Sequence, residues 1–327
     1  MKYGPLGRSG LMVSRICLGG NSWGAKGRRG WGRFDTAESE PFFRRALDLG
    51  INFFDTADVY NLGRSEEIIG ETLLRMVPRH AVVISTKVGL RMGDRPNDAG
   101  LGRKHLLDAV DAQLRRLRTD HIDVYQVHRL DPQTPLEEVM SSLDQLVRAG
   151  KVRYVGGSSM PAYKFAQMLM LADLRGHARP ICMQNLYNLI QREEEHEMIR
   201  LCAEQGVGLI PYSPLARGFL AGNRAPEGGG ATERARTDQV VRPGTYRPCD
   251  WQIVERLKTI AAARGASPAQ IALAWLLSKP VMGAPIIGAT ALEQLDSAAA
   301  ATAIVLGADE NAMLESPYEA RPAPIDP

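Results

Sequence analysis

The sequence predicts an α/β chain of the (β/α)8 class, a TIM barrel with an N-terminal β-hairpin and a long loop after strand seven. Three observations carry this. Eight short apolar runs alternate with segments of helical periodicity. Several of those runs end abruptly in ionisable residues, as strands do where a barrel keeps its chemistry. The doubly wound dinucleotide fold, the main competitor, requires G-x-G-x-x-G between an early strand and a helix. Gly19-Gly20 is not that motif, and Gly27, Gly30 and Gly32 have the wrong spacing.

Composition sets the outer bounds. A chain of 327 residues, 44% hydrophobic and 24% charged, supports one large core, and barrels reach this size as a single domain, here 1–327. A net charge of +3 with scattered basic residues gives no nucleic-acid surface. None of Cys17, Cys182, Cys202 and Cys249 forms a C-x-x-C pair, and H-E-x-x-H is missing, so a metal site has no support. No apolar run approaches the length of about 18 residues that a membrane span needs, and the start does not read as a signal peptide. A cytoplasmic protein acting on a small molecule, without nucleic-acid or membrane partners, is the expectation.

Residues 1–13 carry turn signals around Gly4-Pro5 and Gly7 to Gly10 and read as a hairpin. Ile16 to Leu18 is the first strand. The loop after it holds Trp23 and Trp31, which either line a pocket or pin the loop, among Lys26, Arg28, Arg29 and Arg33. A helix from Pro41 to Leu49 stops at Gly50, and Asn52 to Phe54 is strand two, ending in Asp55 with Tyr60 one turn beyond. Ser65 caps the next helix, with Glu66 and Glu67 at its positive end.

Strand three, Ala81 to Lys87, ends in a lysine. Strand four, Ile122 to His128, ends in a histidine after the helix 102–117. Helix 136–147, strand 152–156, helix 161–174 and strand 180–184 follow. Residues 195–204 lead into strand seven, 208–212. The stretch 221–249 has the length and composition of a lid. Helices 251–263 and 267–277 precede the eighth strand, 283–287, and a last helix spans 292–304. The proline-rich end from 315 to 327 reads as a surface tail.

Asp55, Lys87 and His128 end consecutive strands, so their tips are neighbours on one rim. Each alone has an ordinary reading: a strand-edge Asx turn, a lysine in solvent, a structural histidine. Together they form a proton-transfer group. An unperturbed tyrosine, with a pKa near 10, is a poor acid at neutral pH, and a nearby ammonium lowers that value. A carboxylate beside the lysine keeps it charged, and a histidine orients the acceptor oxygen. No side chain supplies a hydride, so a cofactor is required.

Asp55-Thr-Ala-Asp-Val-Tyr60, Gly63-Arg-Ser-Glu-Glu67, Lys87, His128, the Gly-Gly-Ser-Ser stretch 156–159, Gln184-Asn185 and Tyr212-Ser-Pro-Leu215 occur in this order. With the hairpin, they make the chain resemble an aldo-keto reductase from residue 1 to about 295. The resemblance implies a metal-free barrel that reduces aldehydes and ketones with NADPH. Tyr60 is then the general acid, Lys87 its partner, Asp55 the partner of Lys87, and His128 the carbonyl-orienting donor. It further implies Ser158, Ser159 and Gln184 at the nicotinamide carboxamide and Tyr212 stacked on the ring. Ser213, Leu215, Gly218 and Arg224 follow along the pyrophosphate, with Gly288, Thr290 and Gln294 around the adenosine phosphate. Ser159 replaces the usual asparagine. Gln294, Ser297 and Ala298 depart from the family's usual adenosine contacts, which keeps NADH open beside NADPH. Trp23, Trp31, Arg129 and Tyr187 are pocket candidates. Some members of the family are cofactor-binding partner subunits without turnover, and that alternative stands beside the reductase reading.

Overall fold

The computed structural model describes residues 1–24 and 33–321, apart from 227, 231, 233, 234, 237, 239, 240, 242 and 243. Tyr3–Pro5 (β1) and Met12–Ser14 (β2) pair antiparallel as the expected hairpin. Eight further strands follow: Cys17–Gly19 (β3), Phe53–Asp55 (β4), Val83–Val88 (β5), Ile122–Val127 (β6), Val152–Ser158 (β7), Cys182–Gln184 (β8), Gly208–Leu209 (β9) and Ile286–Ile287 (β10). They form one parallel sheet in the order β10-β3-β4-β5-β6-β7-β8-β9. The two end strands also approach each other: Leu209 N–H donates to Val281 O, and Ile286 N–H to Pro211 O.

Alternation along the strands sorts side chains onto two faces. On the inner face Cys17, Phe53, Val83, Val124, Cys182, Ile210 and Ile286 form one apolar cluster with Leu6 and Val13 of the hairpin. The hairpin therefore covers the sheet interior at its apolar end. The outer face packs against the helices in a second, larger core that includes Phe54, Ile84, Tyr125 and Val155. That arrangement leaves the opposite ends of the strands for polar residues.

Several local expectations are corrected. The first helix spans Thr36–Asp48 rather than starting at Pro41. Asp35 accepts from Glu38 N–H and the Glu38 side chain returns to Asp35 N–H, a reciprocal cap that starts the helix early and carries it through the proline. Ser65 is not a cap. Its buried hydroxyl donates to Gly20 O at 2.7 Å and lies 2.7 Å from Thr56 Oγ1, tying the helix Arg64–Ile68 to two strand ends. The helix expected over 292–304 ends at Ala301, and it is not the last: a further helix, Ala308–Glu315, follows in a stretch given no element and runs to the start of the expected tail.

Nor do residues 315–321 lie free on the surface. Glu315 accepts from Trp275 Nε1 and Lys279 Nζ, each at 2.7 Å, and from Arg192 at 3.1 Å. The Tyr318 hydroxyl donates to Glu193 at 2.9 Å, and Arg321 pairs with buried Asp250. The remainder of the expected tail, 322–327, lies outside the described residues.

Candidate active site

The centre of the site is the Lys87 ammonium. Lys87 is 0% and Asp55 2% exposed, and their charged ends meet at 2.5 Å. A lysine this deep requires a partner. Nζ also donates to Thr56 O at 2.7 Å and stands 3.5 Å from the Tyr60 hydroxyl. The His128 ring lies edge-on to the Tyr60 ring, with centroids 6.0 Å apart. Strand order produces this convergence. Asp55 ends β4, Lys87 lies one residue from the end of β5, and His128 follows β6 directly. Tyr60 enters from the short turn Tyr60–Gly63, where Asn61 and Leu62 take left-handed backbone angles.

The electrostatics correct one expectation. Burial pushes the Tyr60 phenol up; Lys87 pulls it down, as expected, but Asp55 opposes Lys87 and the net shift is upward. Tyr60 is thus a protonated phenol at neutral pH, with an ammonium 3.5 Å from its oxygen. Burial works against the charge on Lys87, yet Asp55 and then Tyr60 outweigh it, and its pKa ends above the ordinary lysine value. The lysine remains cationic.

The other oxygen of Asp55 belongs to a network that the sequence reading did not include. Ser85 Oγ, Gln126 Nε2 and Gln184 Nε2 converge on Oδ1 at 3.0, 3.2 and 3.1 Å. Ser85 and Gln126 were open to discovery by alternation. Each stands two residues before a predicted site residue, Lys87 or His128, and so shares its face.

The nicotinamide-side candidates form one group. Ser159 Oγ lies 3.4 Å from both Ser158 Oγ and the Tyr212 hydroxyl, and Ser159 N–H donates to Gln184 O at 3.0 Å. Gln184 connects this group to Asp55, so these residues fit the carboxamide and ring. Left-handed backbone at Ser159 and Ser213 turns the chain at both strand ends. Leu215 and Gly218 flank a short helical turn after Ser213, and Gly218 takes a φ of 87° that favours glycine.

Arg224, expected at the pyrophosphate, is engaged within its own loop. Its buried guanidinium donates to Asp238 Oδ2 and Arg217 O, both at 2.8 Å, and to Ala235 O at 3.1 Å. Its charge is used to hold the loop together. At the adenosine end Gly288 is exposed, with open space where a Cβ would stand. Gln294 Oε1 accepts from Thr290 N–H at 2.8 Å, whereas Ala298 is buried and turned to the core.

Two pocket candidates are packing residues. Trp23 is 1% exposed and sits among Phe34, Phe42 and Phe43, pinning its loop. Tyr187, also 1% exposed, donates its hydroxyl to Glu195 at 2.6 Å and packs on Trp275. Arg129 is half-buried beside the site, its Nη1 donating to His128 O at 3.0 Å. Trp31, Lys26, Arg28 and Arg29 lie outside the described residues. The four cysteines are buried, and burial raises each thiol. Among the described residues, no group of three or more His, Cys, Asp or Glu side chains is gathered for a metal ion, and no helix is long and apolar enough to cross a membrane.

An eight-stranded parallel sheet with a buried Lys–Asp pair beside a tyrosine and a histidine defines an α/β protein with a buried polar cluster at its strand ends. Residues 15–319 match the aldo/keto reductase family, and the chain belongs to it. It is 41% identical to versiconal hemiacetal acetate reductase of Aspergillus parasiticus, covering 97% of each chain. It is 40% identical to the aldo-keto reductase AMT2 of Alternaria alternata, over 98% of this chain and 92% of the relative. It is likewise 40% identical to the aldo-keto reductase dtxS3 of Metarhizium robertsii, over 97% and 90%.

Proposed function

We propose that the chain is a (β/α)8 barrel reductase that converts an aldehyde or ketone to the alcohol with NADPH. The observation that carries this reading is the buried Lys87–Asp55 pair 3.5 Å from a protonated Tyr60. That arrangement serves proton donation to a developing alkoxide and has little purpose in a passive binding barrel. When bound, the nicotinamide supplies the hydride to the carbonyl carbon.

This chain's residues do the rest. Ser158, Ser159 and Gln184 hold the carboxamide and Tyr212 covers one ring face. His128 orients the carbonyl oxygen. Tyr60 gives its proton to that oxygen as charge develops there, and Lys87 stabilises the phenolate, with Asp55 keeping the ammonium in place. Arg129, and Trp31 by its place in the chain, are the pocket residues that remain from the sequence reading. The similarity to a versiconal hemiacetal acetate reductase makes a carbonyl masked as a hemiacetal one of the substrates to try.

The test is loss of NADPH absorbance on adding para-nitrobenzaldehyde and a panel of aryl ketones. Turnover of any of them supports the reading. Tight NADPH binding without turnover across the panel favours a cofactor-binding partner subunit and overturns it.

A further inference from the structure

The inner face of the sheet changes character in layers. Phe53, Val83, Val124 and Cys182 belong to the apolar cluster. Two residues further along the same strands stand Asp55, Ser85, Gln126 and Gln184, and two beyond Ser85 and Gln126 come Lys87 and His128. Ser85 and Gln126 are fully buried in a layer that barrels ordinarily fill with branched apolar side chains. A hydroxyl and a carboxamide there are costly unless every polar group is used.

They are used in one direction. A carboxylate only accepts, so Ser85 donates to Asp55 Oδ1 and its lone pairs are left for Gln126 Nε2, 2.6 Å away. Gln126 Nε2 also reaches Oδ1, and Gln126 Oε1 lies 3.4 Å from Gln184 Nε2. The carboxylate is divided: three neutral donors on Oδ1, one ammonium on Oδ2.

We propose that Ser85 and Gln126 are positioning residues of the reaction, fixing the orientation and charge of Asp55 so that Lys87 is shared between Asp55 and Tyr60. The inference rests on the reductase reading for its kinetic consequence, but the geometry it describes is a property of the polypeptide itself. Without the two donors, more of the carboxylate charge faces Lys87. The ammonium is then drawn toward Asp55 and away from the phenol, and Tyr60 becomes harder to ionise. The titratable groups facing the pair are Tyr60 and His128 at the rim, Tyr212 across it, Asp58 beside Lys87, and the Cys17 and Cys182 thiols in the layer beneath.

The experiment compares Ser85→Ala, Gln126→Leu and Ser85→Thr with the wild type by two readouts. Steady-state kinetics should show kcat lowered about tenfold in the first two, by misplacement of the acid, while the NADPH dissociation constant and Tm stay near wild type. Ser85→Thr, which keeps the hydroxyl, should recover most of kcat. The second readout needs no turnover: ultraviolet difference titration of tyrosinate, taken against the matching Tyr60→Phe background to isolate Tyr60. Ionisation of Tyr60 should move to higher pH in Ser85→Ala and Gln126→Leu and return in Ser85→Thr. An unmoved Tyr60 titration overturns the proposal, whether or not the wild type turns over. So does a loss of kcat that follows a loss of Tm and is not recovered by threonine. An inactive wild type with a moved titration instead counts against the reductase reading alone.

Discussion

Tyr60 and Asp58 stand two residues apart, and burial raises both, with opposite consequences. For Tyr60 the shift preserves the proton that the proposed reaction needs. Asp58 is pushed well above the carboxylate range, first by burial and then by the nearby charge of Glu66. Its Oδ1 accepts from Val59 N–H at 2.6 Å, and among the described residues Oδ2 has no hydrogen-bond partner. A neutral acid is the form that site tolerates. Above pH of about 4 the unfolded chain releases this proton while the folded chain keeps it. Asp58 therefore favours folding at acid pH and loses that contribution as pH rises, by at most about 1.4 kcal/mol per pH unit. Asp58→Asn removes the slope. Denaturant unfolding of both proteins from acid to neutral pH should show the variant gaining on the wild type as pH increases. A difference independent of pH would mean that the folded carboxyl titrates normally. Local sequence places Asp58 in a turn, but its protonation follows first from burial and then from Glu66, and both come from the fold.

The strand that carries Lys87 is held from its outer side by two helices. Thr86 Oγ1, Gln113 Nε2 and Arg116 Nε all donate to the buried Glu66 carboxylate, at 2.6, 2.8 and 2.7 Å. Gln113 Nε2 also donates to Lys87 O at 3.0 Å, and Tyr125 donates to Gln113 Oε1 at 2.7 Å. Glu66 lies in the helix Arg64–Ile68, and Gln113 and Arg116 in the helix Arg103–Leu117, so one carboxylate joins both helices to β5. Arg116→Leu leaves that carboxylate buried without its cation, at a cost of about 3–5 kcal/mol. Urea unfolding measures it. A loss below about 1 kcal/mol would place Arg116–Glu66 among ordinary surface ion pairs. Local sequence announced the helix through Gly63-Arg-Ser-Glu-Glu67, but it assigned Ser65 and Glu66 to the helix end. Their partners, Gly20, Thr86 and Gln113, come from distant stretches, and local pattern carries no signal for such contacts.

Across the whole molecule, what was legible depended on period and strand-end chemistry. Alternating strands and helices announced the sheet, and Asp55, Lys87 and His128 announced its rim. The Arg224–Asp238 pair was not legible, because a loop arginine looks alike in sequence whether it faces a phosphate or a buried carboxylate. Trp23 and Tyr187 misled because aromatic content does not say which way a ring faces. The adenosine end gives a prediction of its own. With Thr290 and Gln294 at the adenosine phosphate, as the resemblance implies, that phosphate meets neutral groups, and neutral hydrogen bonds contribute about 0.5–1.5 kcal/mol each. Two such bonds together contribute about 1–3 kcal/mol, so fluorescence titration should find NADPH bound tighter than NADH by about five- to a hundredfold. A preference above about a hundredfold would require a cation at the phosphate, and tighter NADH would reverse the assignment. Proton donation by Tyr60 is tested most directly by single-turnover reduction of para-nitrobenzaldehyde by Tyr60→Phe, with NADPH affinity measured on the same sample. The rate should fall by about 10²–10⁴, the contribution of a positioned acid, with affinity within a few-fold of wild type. A variant that binds NADPH and keeps most of its rate would show that the proton comes from elsewhere.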